Sequence, residues 1–158
     1  MLDRKGLAFP GSLSFNRIKN QFMNENKTTE FSFMLKPSKH GIGVFVTHDV
    51  KKDTFLRLFG SGGLDNVKNR SRELNKDEVP EVMQNYCIER DNNKLMCPQD
   101  FSCMHVGWYL NHSSEPNAYH IDYNWYAKRD IKAYEEILID YNSLEEPKET
   151  KDEYYYGT

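Results

Sequence analysis

The chain has 158 residues, 38% of them hydrophobic and 13% aromatic, which is the size of one domain with one core and too apolar for a disordered segment. Its net charge of -3 is unevenly placed: residues 1–52 hold nine Lys/Arg against four Asp/Glu, and residues 53–158 hold twelve against twenty. An acidic C-terminal two-thirds argues against direct nucleic-acid binding and favours a basic partner, while no apolar run nears the roughly 20 residues that span a bilayer.

In chain order, residues 1–30 read as a flanking segment. Phe15, Ile18, Phe22 and Met23 fall at helical spacing behind Ser14, a plausible N-cap, so a short amphipathic helix is predicted there. The first twenty residues lack the apolar stretch and small-residue cleavage site of a signal peptide. From Phe31 the pattern becomes short β-type runs: FSFMLK, GVFVT, TFLRLF, NYCIE, KLMC, YHIDYNWYA and EILIDY. Clusters rich in Gly, Asn and Asp separate them, among them KHGIG, GSGG and RDNN. Residues 65–84 read as a charged loop with one or two short helical turns, and residues after Tyr141 as a polar, acidic tail. The fold class is therefore mainly β, in a single domain.

Candidate chemistry is sparse. None of the five histidines lies near a nucleophile-elbow sequence. Cys97, Cys103 and His105 lack the CxxC spacing of a strong zinc motif, so the cysteines read as buried structural thiols and no metal is predicted. With Cys87 they make an odd number, which fits a reducing intracellular compartment, nucleus or cytoplasm. Taken alone, the Gly41-Ile42-Gly43 turn is a weak signal, since a strand rather than a helix follows it. The segment YLNHSSEPNAY leaves a catalytic histidine, a metal ligand and a structural turn all open.

The order of these words decides between them. A GxG turn, the box Asn111 to Asn117, and Glu135-Glu136-Ile137 running to Asp140-Tyr141 closely resemble the SET domain of protein-lysine methyltransferases over about residues 31–142. The resemblance implies a fold of small curved β-sheets with a C-terminal pseudoknot and a few short helices. It also implies S-adenosylmethionine as cofactor and a lysine-containing basic peptide, a histone tail first, as substrate. Methylation of a non-histone protein and an inactive cofactor-binding module are the alternatives. By the same resemblance His40, Gly41, Ile42, Gly43 and Phe45 line the cofactor, Asn111 and His112 hold it, and Pro116 and Asn117 fix the turn. Tyr141 is the tyrosine of methyl transfer and also touches the cofactor. Tyr86 lines the lysine channel with Tyr119, Ile139 and Tyr155, and Tyr119 is grouped with the catalytic tyrosines. If Tyr119 fills the pocket, one methyl group is favoured; if it does not, two or three are open.

Four departures stand out. Ser114 replaces a common cysteine, and Trp108 replaces an arginine before the Asn-His box. Asp53 and Tyr134 replace turn glycines, so altered turns are expected at both. The tail, residues 143–158, has no cysteines, which implies a post-SET segment without zinc; Tyr154, Tyr155 and Tyr156 are its candidates for closing the site.

Overall fold

The computed structural model of the chain describes residues 26–60 and 70–147. The predicted N-terminal helix and Tyr154 to Tyr156 lie outside the described residues, and among the described ones no helix is long and apolar enough to cross a membrane. The architecture is mainly β, as small sheets joined by short 3-10 turns.

β1 (Phe33–Ser38) and β2 (Gly41–Val46) form an antiparallel hairpin, Phe33 opposite Val46 and Ser38 opposite Gly41. Alternation along β2 turns Val44 and Val46 into the core, both fully buried. β3 (Ser71–Asn75), β5 (Lys94–Pro98) and β4 (Ile88–Arg90) make a three-stranded sheet with β5 central. β7 (Ala118–Ile121) and β8 (Asn124–Ala127) form a second hairpin, closed by Asp122 and Tyr123 at φ 48° and 61°. Two consecutive positive φ values are the signature of a type I′ turn, whose twist matches that of the strands. Leu56, Leu58, Trp125, Ile131 and Ile137 join the two valines in the main core.

The C-terminal segment makes the knot-like crossing of this fold. The N–H of Tyr134 donates to the Val46 carbonyl at 2.8 Å, and that of Ile137 to the Val44 carbonyl at 2.7 Å. The chain continues as β9 (Leu138–Ile139), which pairs in parallel with β6 (Asn111–His112). It thus passes between β2 and β6 before turning at Tyr141–Leu144 and docking on β4.

Several expected elements differ. The run TFLRLF forms no strand: Phe55 makes only isolated bridges to Lys27 and Tyr126, because the Leu58 N–H turns back to the Leu56 carbonyl at 2.8 Å and breaks the ladder. Ser71–Asn75, expected as loop, is a strand; its exposed Arg72 and Glu73 are the charged side chains typical of a sheet edge, and they hide the β pattern. The helical turns expected nearby are present at Lys76–Glu78 and Glu81–Gln84. At the two positions where glycine was expected, Asp53 and Tyr134 take the left-handed backbone that favours glycine, at φ 64° and 68°.

Candidate functional site

The site grows from the parallel pairing of β6 with β9, which brings the Asn-His box against the Glu-Glu run. Asn111 is buried, and its side-chain amide donates to the Ile42 carbonyl at 3.2 Å and to Glu136 Oε1 at 2.8 Å. Both partners are acceptors only, so the amide orientation is fixed and Oδ1 is left as the acceptor. The second carboxylate oxygen of Glu136 accepts from the Ser38 hydroxyl at 2.8 Å. This carboxylate explains Gly43: a Cβ there would overlap Glu136 Oε1. Gly41 is a glycine for another reason, its φ of +106°. The GxG turn and the Asn-His box therefore meet through one carboxylate.

His112 answers the question its neighbours raise. Its Nδ1 accepts the backbone N–H of Tyr141 at 3.1 Å, and the two rings lie 5.3 Å apart. A neutral ring that accepts at Nδ1 carries its proton on Nε2, so Nδ1 is not available as a base for a substrate. The histidine holds Tyr141 in place. The Tyr141 hydroxyl donates to the Leu110 carbonyl at 2.6 Å. Asn117, fully buried, ties the same crossing: its amide donates to the Glu136 carbonyl at 2.7 Å and its Oδ1 accepts from the Leu138 N–H at 2.8 Å.

These groups border a cavity of about 660 Å³ whose wall includes His40, Tyr86, Asn111, His112, Ile139 and Tyr141. Tyr86 is braced edge-on by the Tyr109 ring at 5.3 Å. Tyr123, Leu144 and Glu146 also line the cavity. Tyr123 donates to the Leu144 carbonyl at 2.6 Å and accepts from Arg90 at 2.8 Å, while Glu146 accepts the Glu89 N–H at 3.1 Å.

The family model for the SET domain matches residues 41–142, about two-thirds of the chain. The chain belongs to the SET domain family. Among solved structures, one from Plasmodium falciparum, named a "putative histone methyltransferase", is 22% identical; the match covers 70% of this chain and 93% of that chain, with a TM-score of 0.45. No curated protein sequence matches significantly.

Within this SET domain, six of the residues singled out from sequence lie on one cavity wall: His40, Tyr86, Asn111, His112, Ile139 and Tyr141. Gly41, Ile42 and Gly43 sit beside it, joined through Asn111 and Glu136. Phe45 is not on the wall; it shares the outer face of the hairpin with Lys36, whose Nζ lies 5.0 Å from its ring centre. Tyr119 is also elsewhere. It pairs with Tyr126 on one face of the β7–β8 hairpin, rings 5.6 Å apart, whereas the opposite face carries His120 and the cavity residue Trp125. Successive strand residues point to opposite faces, so Tyr119 and Trp125 look away from each other. Tyr155 lies outside the described residues. Of the residues sequence reading left without a role, Glu136 is the most consequential. Its signal was present in the Glu135-Glu136 pair, but its partners are distant in the chain.

Proposed function

We propose that this SET domain is an S-adenosylmethionine-dependent protein-lysine N-methyltransferase whose substrate is a basic, lysine-containing segment such as a histone tail. The observation that carries this reading is the convergence of His40, the Asn-His box, Tyr86 and Tyr141 on one cavity, with the GxG turn bonded to Asn111 beside it. The cavity fits the cofactor in kind: its volume lies within the roughly 300–1,000 Å³ of small-molecule pockets. Asn111 Oδ1 is an acceptor suited to the cofactor's ammonium group, and His40 stands at the turn on the same wall. Glu81 and Glu146 on the wall suit a cationic substrate, while Glu89 is paired with Lys76 of the same wall at 2.6 Å.

When bound, S-adenosylmethionine supplies an electrophilic methyl carbon on a positively charged sulfur. The chain's residues prepare the amine. A lysine amine, with a pKa of about 10.4, must lose its proton before it can attack, and an aromatic wall lowers that pKa by stripping water from the charged form. Tyr86, braced by Tyr109, provides such a wall. The Tyr141 hydroxyl has its own proton committed to the Leu110 carbonyl, so toward the cavity it acts as an acceptor. It is suited to take an amine N–H and aim the nitrogen lone pair, which is catalysis by orientation. No side chain need accept a covalent bond.

Product multiplicity follows from the same wall. Ile139 brings no hydroxyl, and Tyr119 faces away. The proposal is therefore extended to addition of more than one methyl group. Titration calorimetry with S-adenosylmethionine tests the cofactor assignment: micromolar-range binding to the wild type, weakened about tenfold or more in Asn111→Ala, is expected. Equal binding by both proteins would remove Asn111 from the cofactor site.

A further inference from the structure

We propose that Cys87 and Cys97 form an oxidisable dithiol that closes to a cross-strand disulfide beside the cavity. The pairing register carries the proposal. Ile88 lies opposite Met96 and Glu89 opposite Leu95, so one step outward places Cys87 opposite Cys97. The Cys87 N–H donates to the Gln84 carbonyl at 2.9 Å, so this position lacks the paired backbone hydrogen bonds of a ladder rung. Residues directly opposite in an antiparallel pair have Cα atoms about 4.5 to 5.5 Å apart, inside the range that a disulfide spans.

The two side chains share one core. Both pack in the small core with Val79 and Leu95, where the Cys87 thiol donates to the Met83 carbonyl at 3.5 Å and the Cys97 thiol to the Leu95 carbonyl at 3.6 Å. Access is asymmetric: Cys97 is fully buried, whereas Cys87 is half-buried and on the cavity wall, next to Tyr86. Burial pushes both thiols up, so they rest as neutral thiols and the pair is slow to oxidise rather than spontaneously bridged.

With hydrogen peroxide as oxidant the chemistry balances. The Cys87 sulfur, giving up its proton, attacks one peroxide oxygen; the O–O bond breaks, water leaves, and a sulfenic acid remains. Cys97 then attacks that sulfur, the S–O bond breaks, and a second water leaves as the S–S bond forms. The product ties the Tyr86 turn to β5.

The test uses the wild-type protein, peroxide and denaturing alkylation, followed by intact-mass and peptide analysis. Cys103, which is exposed, reports that the oxidant has acted. The expected result is a Cys87–Cys97 linked peptide, two hydrogens lighter than its two reduced peptides together, and reversal by dithiothreitol. Recovery of both Cys87 and Cys97 as alkylated thiols while Cys103 is oxidised would overturn the proposal, as would a link from either one to Cys103.

Discussion

Gly43 and Glu136 show what a single residue does here. The carboxylate lies where a Cβ at position 43 would be, and it also holds Asn111 and Ser38. Gly43→Ala should therefore force the Glu136 side chain away and cost about 2 kcal/mol, the usual size of an overpacking penalty, read as a lower midpoint in denaturant unfolding. An unchanged midpoint would mean that the carboxylate yields without resistance. At Tyr141 the expectation is different. Tyr141→Phe loses the hydroxyl that bonds to the Leu110 carbonyl, so methyl transfer should fall about a hundredfold while cofactor affinity, by calorimetry, holds. The two glycines, the Asn-His box and Tyr141 were legible because each is a local word. Glu136 was not, because its role depends on a strand pairing that no local pattern announces. The placement of Tyr119 was hidden likewise: it turns on which face of a hairpin looks inward.

At the scale of elements, the two glycine replacements are informative. Asp53 and Tyr134 retain left-handed backbones, so the surrounding hydrogen bonds override the preference of their side chains. Around Asp53 these are its own N–H to the Ala127 carbonyl and the Ala127 N–H to the Thr54 carbonyl; Tyr134 is held by its N–H to Val46. A non-glycine residue in that region costs roughly 1 kcal/mol, and least for Asp. Tyr134, largely exposed, has little packing to lose. Tyr134→Gly should accordingly raise stability by up to about 1 kcal/mol, and Asp53→Gly by less, in chemical denaturation. A loss of stability at Tyr134 would mean that its ring contributes more than the backbone costs. Strand positions were readable where alternation met a clear turn, as in β1–β2, whereas YHIDYNWYA, read as one run, folds into the β7–β8 hairpin because Asp122 and Tyr123 take positive φ without a glycine to announce it. They were misread where charge covered an edge strand at β3, and where a tight turn at Leu58 bent an apolar run.

Across the whole molecule, acidic side chains tie distant loops together. Asp49 accepts from the Ala133 N–H and Lys132, and Asp130 accepts from the Lys52 N–H and Lys51, so two loops hold each other reciprocally. Backbone N–H donors and the lysines keep both carboxyls below the usual range, and Arg129 does the same for Glu135. A folded-state pKa below the unfolded value means stability that is complete above about pH 4 and lost as pH falls through the depressed values. The melting temperature should hold from neutral pH to about 4.5 and then drop. In the double variant Asp49→Asn, Asp130→Asn that acid limb should be shallower; an identical limb would assign acid sensitivity to other groups.

The central claim is that one cavity brings a cofactor methyl group to a lysine oriented by Tyr141. Its most direct measurement is transfer of radiolabelled methyl from S-adenosylmethionine to separate core histones, wild type beside Tyr141→Phe, with mass spectrometry of any labelled peptide. Label on a lysine, more than one methyl group at completion, and near-complete loss in the variant are expected. Label of equal strength in both proteins, or a wild type that neither transfers methyl nor binds the cofactor, would contradict it.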